Sequence, residues 1–390
     1  MINPVDSDLG MGRSILYSIG IIVIYGSMTC VHIPYGFRKP ALLTGNSAFL
    51  MADFSTSDKR SEQEEISKSH FMQEPDNNSR YRFMDNTDPV SDNPRIKIDN
   101  YNIPVPKFMR GIYLSNGTAN SKNNLLHMIN QAKVYHINTF VVDVQNNMIP
   151  REYLKLIKQA GIFPVARIVV FLGGLRTKSP SAEYVDQILE LMDAAAYQGF
   201  LEVQLDYIRY ADSKEMESLP LDFKYQTINK ILEKTQVKAD SLSIFLSADL
   251  FGRVTLNEND QIGQRLENFS RYTDTIYPML YPSHYTNDEY RIAHPYETVK
   301  EGVEKSMKRC RNTKIVAYIQ GFPWKIESSG KSLSQYIQDQ IAAVDDAGGH
   351  GWIIWNAKNE YTQSFHAIKA YYSGYGEKIS GIKNNRAKIL

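Results

Sequence analysis

GFLEVQLDYIRY, Gly199 to Tyr210, alternates polar and apolar side chains with the period of a β-strand. Glu202, Gln204 and Asp206 share one face, while Val203, Leu205 and Tyr207 share the other. The apolar face is the one that packs on helices, which assigns Tyr207 to packing and turns the acidic face inward. Upstream, Ser181 to Gln198 places Val185, Ile188, Leu189 and Met192 on one helical face, and Gly199 follows as a C-terminal cap. Gly161 and Gly348-Gly349 punctuate two more helical patterns in the same way.

The same rhythm runs in both directions from this stretch. Apolar runs recur at Arg110 to Leu114, Thr139 to Val144, Phe163 to Val170, Leu201 to Ile208, Ser243 to Leu250, Thr275 to Tyr281, Lys314 to Ile319 and Gly351 to Trp355. Amphipathic stretches such as Asn123 to Tyr135, Arg151 to Ala160 and Ser334 to Ala347 separate them. Eight strands alternating with helices predict an α/β fold, a closed (β/α)8 TIM barrel over residues 106–375.

The remaining chain reads differently. Residues 1–14 are an N-terminal tail, and residues 15–31 (ILYSIGIIVIYGSMTCV) are uncharged and close to the shortest length that spans a bilayer. They read as a transmembrane anchor or signal segment, with Ser27-Met28-Thr29-Cys30 loosely like a lipobox. Residues 32–105, rich in Ser, Asp, Asn, Glu and Lys, read as a flexible polar linker, and residues 376–390 as a C-terminal tail. This order places the barrel outside the cytoplasm, attached to membrane through the N-terminal segment. With Cys30 in the apolar segment, a disulfide to Cys310 is not expected. A formal net charge of +1 gives no electrostatic case for a nucleic-acid partner.

Active sites of such barrels form at the C-terminal strand ends. The second run ends in Asp143, the third holds Arg167, the fourth carries Asp206 and then Arg209, and the fifth ends at Asp249. Tyr113 ends the first run, the sixth offers Tyr281, His284 and Tyr285, the seventh Tyr318 and Gln320, and the eighth Trp355 and Asn356. Carboxylates inside a barrel are costly unless paired or placed at its mouth, so Asp206, Asp249 and Asp143 read as catalytic. The structural alternative for each is an ion pair with Arg209 or Arg167. His284 lacks a second His or Cys at metal-ligand spacing, and no phosphate loop, serine elbow or Cys-x-x-Cys is present, so neither metal nor cofactor is implied.

The quoted stretch also resembles the GFDEIQFDYIRFP signature of a glycoside-hydrolase-like family of bacterial barrels, long catalogued as a domain of unknown function. Other blocks agree in order. Ile137 to Val144 resembles INAVVIDVKDD, Ala166 to Phe171 resembles ARIVVFKD, and Ser247 to Gly252 resembles SADVFG. Pro278 to Tyr285 resembles PMVYPSHY, and Gly351 to Tyr361 resembles GWLLWNPSNRY. The resemblance implies a glycosidase-like barrel acting on a polysaccharide or other glycan. It departs at Gln145-Asn146-Asn147, Leu172-Gly173-Gly174 and Ala317-Tyr318, where the cleft contacts have changed.

Glycoside hydrolysis requires two carboxyl groups about the scissile bond. Asp206 is expected as nucleophile or electrostatic stabiliser, Asp249 as acid/base and Asp143 as a third, tuning carboxylate. Arg209, Arg167, Tyr113, Tyr281, His284, Tyr285, Tyr318, Gln320, Trp355 and Asn356 are expected to line the substrate cleft. The rival readings are a non-catalytic carbohydrate-binding envelope protein and a structural envelope module.

Overall fold

The structure, a computed structural model, describes residues 103–145 and 147–373. The expected N-terminal segment at 15–31, most of the linker and the C-terminal tail lie outside the described residues. Among the described residues no helix is long and apolar enough to cross a membrane.

The strands are β1 (Met109–Leu114), β2 (Thr139–Asp143), β3 (Phe163–Val169), β4 (Glu202–Asp206), β5 (Phe245–Phe251), β6 (Thr275–Met279), β7 (Lys314–Ile315), β8 (Ala317–Gln320) and β9 (Gly351–Trp355). All pairings are parallel, and they close on themselves in the order β1, β2, β3, β4, β5, β6, then β7 and β8, then β9 and back to β1. Only Val316 separates β7 from β8, so the two make one stave and the barrel has eight. Each expected apolar run overlaps its strand, although β1 begins one residue earlier, at Met109, and β5 and β8 run one residue further, to Phe251 and Gln320. The stave break is the larger departure.

Closure needs close backbone approach between the first and last staves. Gly351 has φ 143°, and a Cβ there would overlap the Met109 backbone, so only glycine fits. Helices Lys122–Val134, Arg151–Gln159, Ala182–Gln198, Leu221–Leu242, Pro295–Arg309 and Leu333–Asp346 return the chain between staves. Their ends follow local chemistry. Ser181 caps Ala182–Gln198 by accepting from the Tyr184 amide, and Gly199 ends it with φ 106°. Ser332 and Gln335 form a capping box at Leu333–Asp346.

Strand alternation divides the core. Val203 and Leu205 of β4, Leu246, Ala248 and Leu250 of β5, and Phe140 and Val142 of β2 face the helices in one apolar cluster. Met109, Val141, Phe163, Val165, Tyr277, Val316, Tyr318 and Ile353 form a second cluster inside the barrel. Ile103 and Val105, just before the expected boundary at residue 106, pack against the inner cluster.

The interior is unusually polar on the β4 side. Glu202 accepts from Ser247 Oγ at 2.6 Å and from Tyr277 OH at 2.8 Å, and Gln204 Oε1 accepts from Tyr318 OH at 2.9 Å. Burial pushes the Glu202 carboxyl up to about 7, against the opposing effect of its two hydrogen bonds. The raised value means the folded state keeps a proton that the unfolded chain releases at ordinary carboxylate pH. Stability therefore declines as pH rises from about 4.5 to about 7 and levels off above that, by an amount on the order of 3 kcal/mol. Glu202→Gln keeps the acceptor and removes the titration. Urea unfolding should show the variant gaining on the parent between pH 5 and pH 8; equal curves at both pH values would contradict a protonated Glu202.

Candidate active site

β4 and β5 bring the two central acids together. Leu205 and Ala248 are register partners, and Asp206 and Asp249 follow them directly on the inward face. Neighbouring strands lie about 4.8 Å apart, so the two carboxyl groups rise side by side at the mouth end. Asp206 is 3% exposed and Asp249 2%.

Their environments differ. Arg167 of β3 donates from Nε to Asp206 Oδ2 at 2.9 Å, and its Nη2 reaches the same oxygen. Its Nη1 donates to Asp143 Oδ2 at 2.8 Å. Tyr113 OH also donates to Asp143 Oδ2, at 3.2 Å, while Asp143 Oδ1 accepts the Gln145 amide. The second oxygen of Asp206, Oδ1, accepts the Tyr207 amide at 2.6 Å. One guanidinium thus bridges two carboxylates, and it lies over the rings of Trp355 (5.3 Å) and Tyr113 (5.7 Å). Burial disfavours the charge on Arg167, but Asp206 and then Asp143 outweigh it and keep the cation firmly protonated.

Asp249 stands outside this network. Its Oδ1 is buried and has no hydrogen-bond partner. Burial first, then the charge of Asp206, push its carboxyl well above the usual carboxylate range; Arg167 opposes this less. The neutral form of Asp249 is therefore favoured beside an Asp206 carboxylate that is paired with Arg167. A buried carboxyl lacking a protein partner beside a paired carboxylate is the arrangement from which a proton is readily delivered.

Aromatic rings surround the pair. Tyr113 lies 4.0 Å from Trp355, centroid to centroid, and Trp355 meets Tyr318 edge-on at 6.0 Å. After β6 and β8, the rings of Tyr281, Phe322 and Trp324 lie 5.1, 6.1 and 5.4 Å from that of His284. His284 keeps an exposed edge, yet desolvation by these rings, with help from Lys325, pushes its imidazole down to about 4, so it is neutral at physiological pH. Tyr281 is buried, and burial together with Asp249 raises its phenol well above the ordinary value.

Several expected cleft residues have other work. Gln320 is fully buried; its Oε1 accepts the Ser283 amide and its Nε2 donates to the Phe322 and Trp324 carbonyls. Asn356 is similarly saturated, donating to Gly321 and Glu360 carbonyls and accepting from the Lys358 and Glu360 amides. Both tie rim loops together instead of presenting groups to a ligand. Tyr285 lies against Arg291, with its hydroxyl buried and unpartnered. Arg209 is not the counter-ion of Asp206; that place belongs to Arg167.

Tyr207 corrects the alternation argument. The strand ends at Asp206, and Tyr207 takes φ 54°, a left-handed conformation that is strained for a tyrosine. This swings the ring off the outer face. Its hydroxyl sits, half-buried, in the electrostatic field of Asp206, Arg167, Arg209 and Asp249. Phe322 and Trp324 were also missed; the aromatic-rich Phe322-Pro323-Trp324 directly after the seventh stave was the available signal.

No curated protein matches the chain. Among solved structures, the endo-1,4-β-mannanase from Rhizomucor miehei superposes with TM-score 0.53 at 9% identity, over 70% of this chain and 96% of that one. The endo-β-1,4-mannanase from Thermotoga petrophila gives TM-score 0.50 at 13% identity, over 70% of this chain and 77% of the other. At these identities the likeness is one of fold. A family model matches residues 177–361, a span that contains Asp206 and Asp249 and begins after Asp143 and Arg167. That family model is described as "Putative glycosyl hydrolase domain".

Proposed function

We propose that the barrel hydrolyses an O-glycosidic bond of an extracellular or cell-envelope polysaccharide, with Asp249 as general acid and Asp206 as the anion that attacks or stabilises the anomeric carbon. The observation that carries this reading is the unequal pair: Asp206 bridged to Arg167, and Asp249 buried, unpartnered and raised beside it. Asp249 delivers its proton to the leaving oxygen, and the positive charge that develops on the sugar is met by Asp206. Neighbouring strand positions favour the short carboxyl separation of a retaining enzyme, about 5–5.5 Å. Asp143 positions Arg167 and Tyr113, and Tyr113, Trp355, Tyr281, His284 and Trp324 provide ring faces for sugar. The apolar segment at 15–31 supports attachment to a membrane, with the barrel on its outer side.

The full engagement of Asp206 and Asp143 by Arg167 favours a second reading, a barrel that grips glycan without cleaving it. Release of reducing ends separates the two. The hydrolase reading expects the protein to liberate reducing ends from at least one polymer in a panel of bacterial envelope and plant polysaccharides, and the double variant Asp206→Asn/Asp249→Asn to liberate none. Retention of a polymer by the parent without any release would support the binding reading.

A further inference from the structure

Arg209 lies three residues beyond Asp206 on the rim above β4 and is 4% exposed. Its guanidinium is held between two rings, 4.4 Å from the Phe251 centroid and 5.3 Å from that of Tyr207. Nη1 donates to the Tyr210 carbonyl at 2.8 Å. Nε is buried without an acceptor, and Nη2 donates to no described residue.

The two guanidinium groups nearby are treated differently by the fold. Arg167 has Asp206 and Asp143, and Arg253 has Asp260 and Asp212. Among the described residues Arg209 forms no ion pair. A buried cation without a counter-ion is strongly disfavoured, and two aromatic faces offset only part of that cost. Burial accordingly lowers the proton affinity of Arg209. The free Nε–Nη2 edge is the side of a guanidinium that holds a planar carboxylate through two parallel hydrogen bonds, and the two rings fix the plane in which such a group must enter.

We propose that Arg209 is a subsite for a carboxylate carried by the substrate, so that the glycan acted on is acidic, of the uronic-acid type. The inference rests on the reading of Asp206 and Asp249 as the cleavage site, because it is their neighbourhood that places the sugar carboxylate within reach of Arg209.

The test uses matched probes: polygalacturonate, alginate and hyaluronan, each against its carboxyl-reduced form, with binding measured by affinity electrophoresis and calorimetry. The parent is expected to bind at least one acidic polymer about 10- to 100-fold more tightly than the reduced form. Arg209→Met should bring binding of the acidic and reduced forms to the same level, and Arg209→Lys, which keeps charge but loses the fork, should fall between. Equal binding of acidic and reduced forms by the parent, no binding of any acidic polymer, or discrimination retained in Arg209→Met would overturn the proposal. Should Arg209→Met fail to fold, the parent comparison and Arg209→Lys decide. Discrimination without release of reducing ends would sink the hydrolase reading and keep this one; cleavage of neutral polymers, undiminished in Arg209→Lys, would do the reverse.

Discussion

Asp249→Asn is expected to lower kcat about 100- to 10,000-fold on the polysaccharide the parent cleaves, without a loss of stability at pH 7. Both halves follow from the same fact. Burial favours the neutral form of Asp249, and asparagine copies the shape and polarity of that form but holds no transferable proton. Its folded-state value lies above its unfolded one, so the parent loses stability as pH rises from the ordinary carboxylate range toward the folded value. The variant escapes that loss and should match or exceed the parent in urea midpoint. An aryl glycoside with an acidic leaving phenol needs little protonation. The deficit on such a substrate should shrink, which a purely structural role for Asp249 would not produce. A variant that keeps full activity on polymer would remove Asp249 from the chemistry.

Arg167→Met should be the most damaging single change in the barrel interior. It leaves Asp206 and Asp143 without their shared cation, and breaking a buried pair by removing one partner costs about 3–5 kcal/mol. Activity should fall with it, because Asp206 loses the group that fixes its orientation and Asp249 loses the neighbour that opposes the upward shift of its carboxyl. Arg167→Lys should recover little, since a single ammonium cannot span Asp206 Oδ2 and Asp143 Oδ2 as the planar fork does. Adding Asp206→Asn to Arg167→Met should restore part of the stability, a coupling readable in a double-mutant cycle. Additive losses would mean the bridge contributes nothing beyond its separate parts.

Much of this architecture is written in local pattern. Period-two alternation in Glu202 to Asp206 settled which face of that strand turns inward, and Asp249 at the end of the next run joins it. The mouth was therefore legible as a set of acids at adjacent strand ends. Pairing was not, because it depends on register. Asp143 lies opposite Arg167 only once β2 and β3 align, whereas Arg209, only three residues beyond Asp206 in sequence, follows the turn at Tyr207 and forms no ion pair with it. That turn is itself invisible to propensity, since tyrosine seldom takes φ 54°. The polar rim residues were misread for a related reason. Gln320 and Asn356 stand at strand ends, where ligands bind, but loop carbonyls and amides also need partners there, and these two side chains supply them.

As general acid, Asp249 must carry a proton beside the Asp206–Arg167 pair. Infrared difference spectroscopy of the parent against Asp249→Asn at pH 7 tests it directly, since only a protonated carboxyl shows a carboxylic C=O stretch. The expected result is a carboxylic band in the parent that vanishes in Asp249→Asn, with the Glu202 band persisting in both. A spectrum in which Asp249 contributes only carboxylate bands would contradict it, because no proton would then be stored beside the Asp206–Arg167 pair.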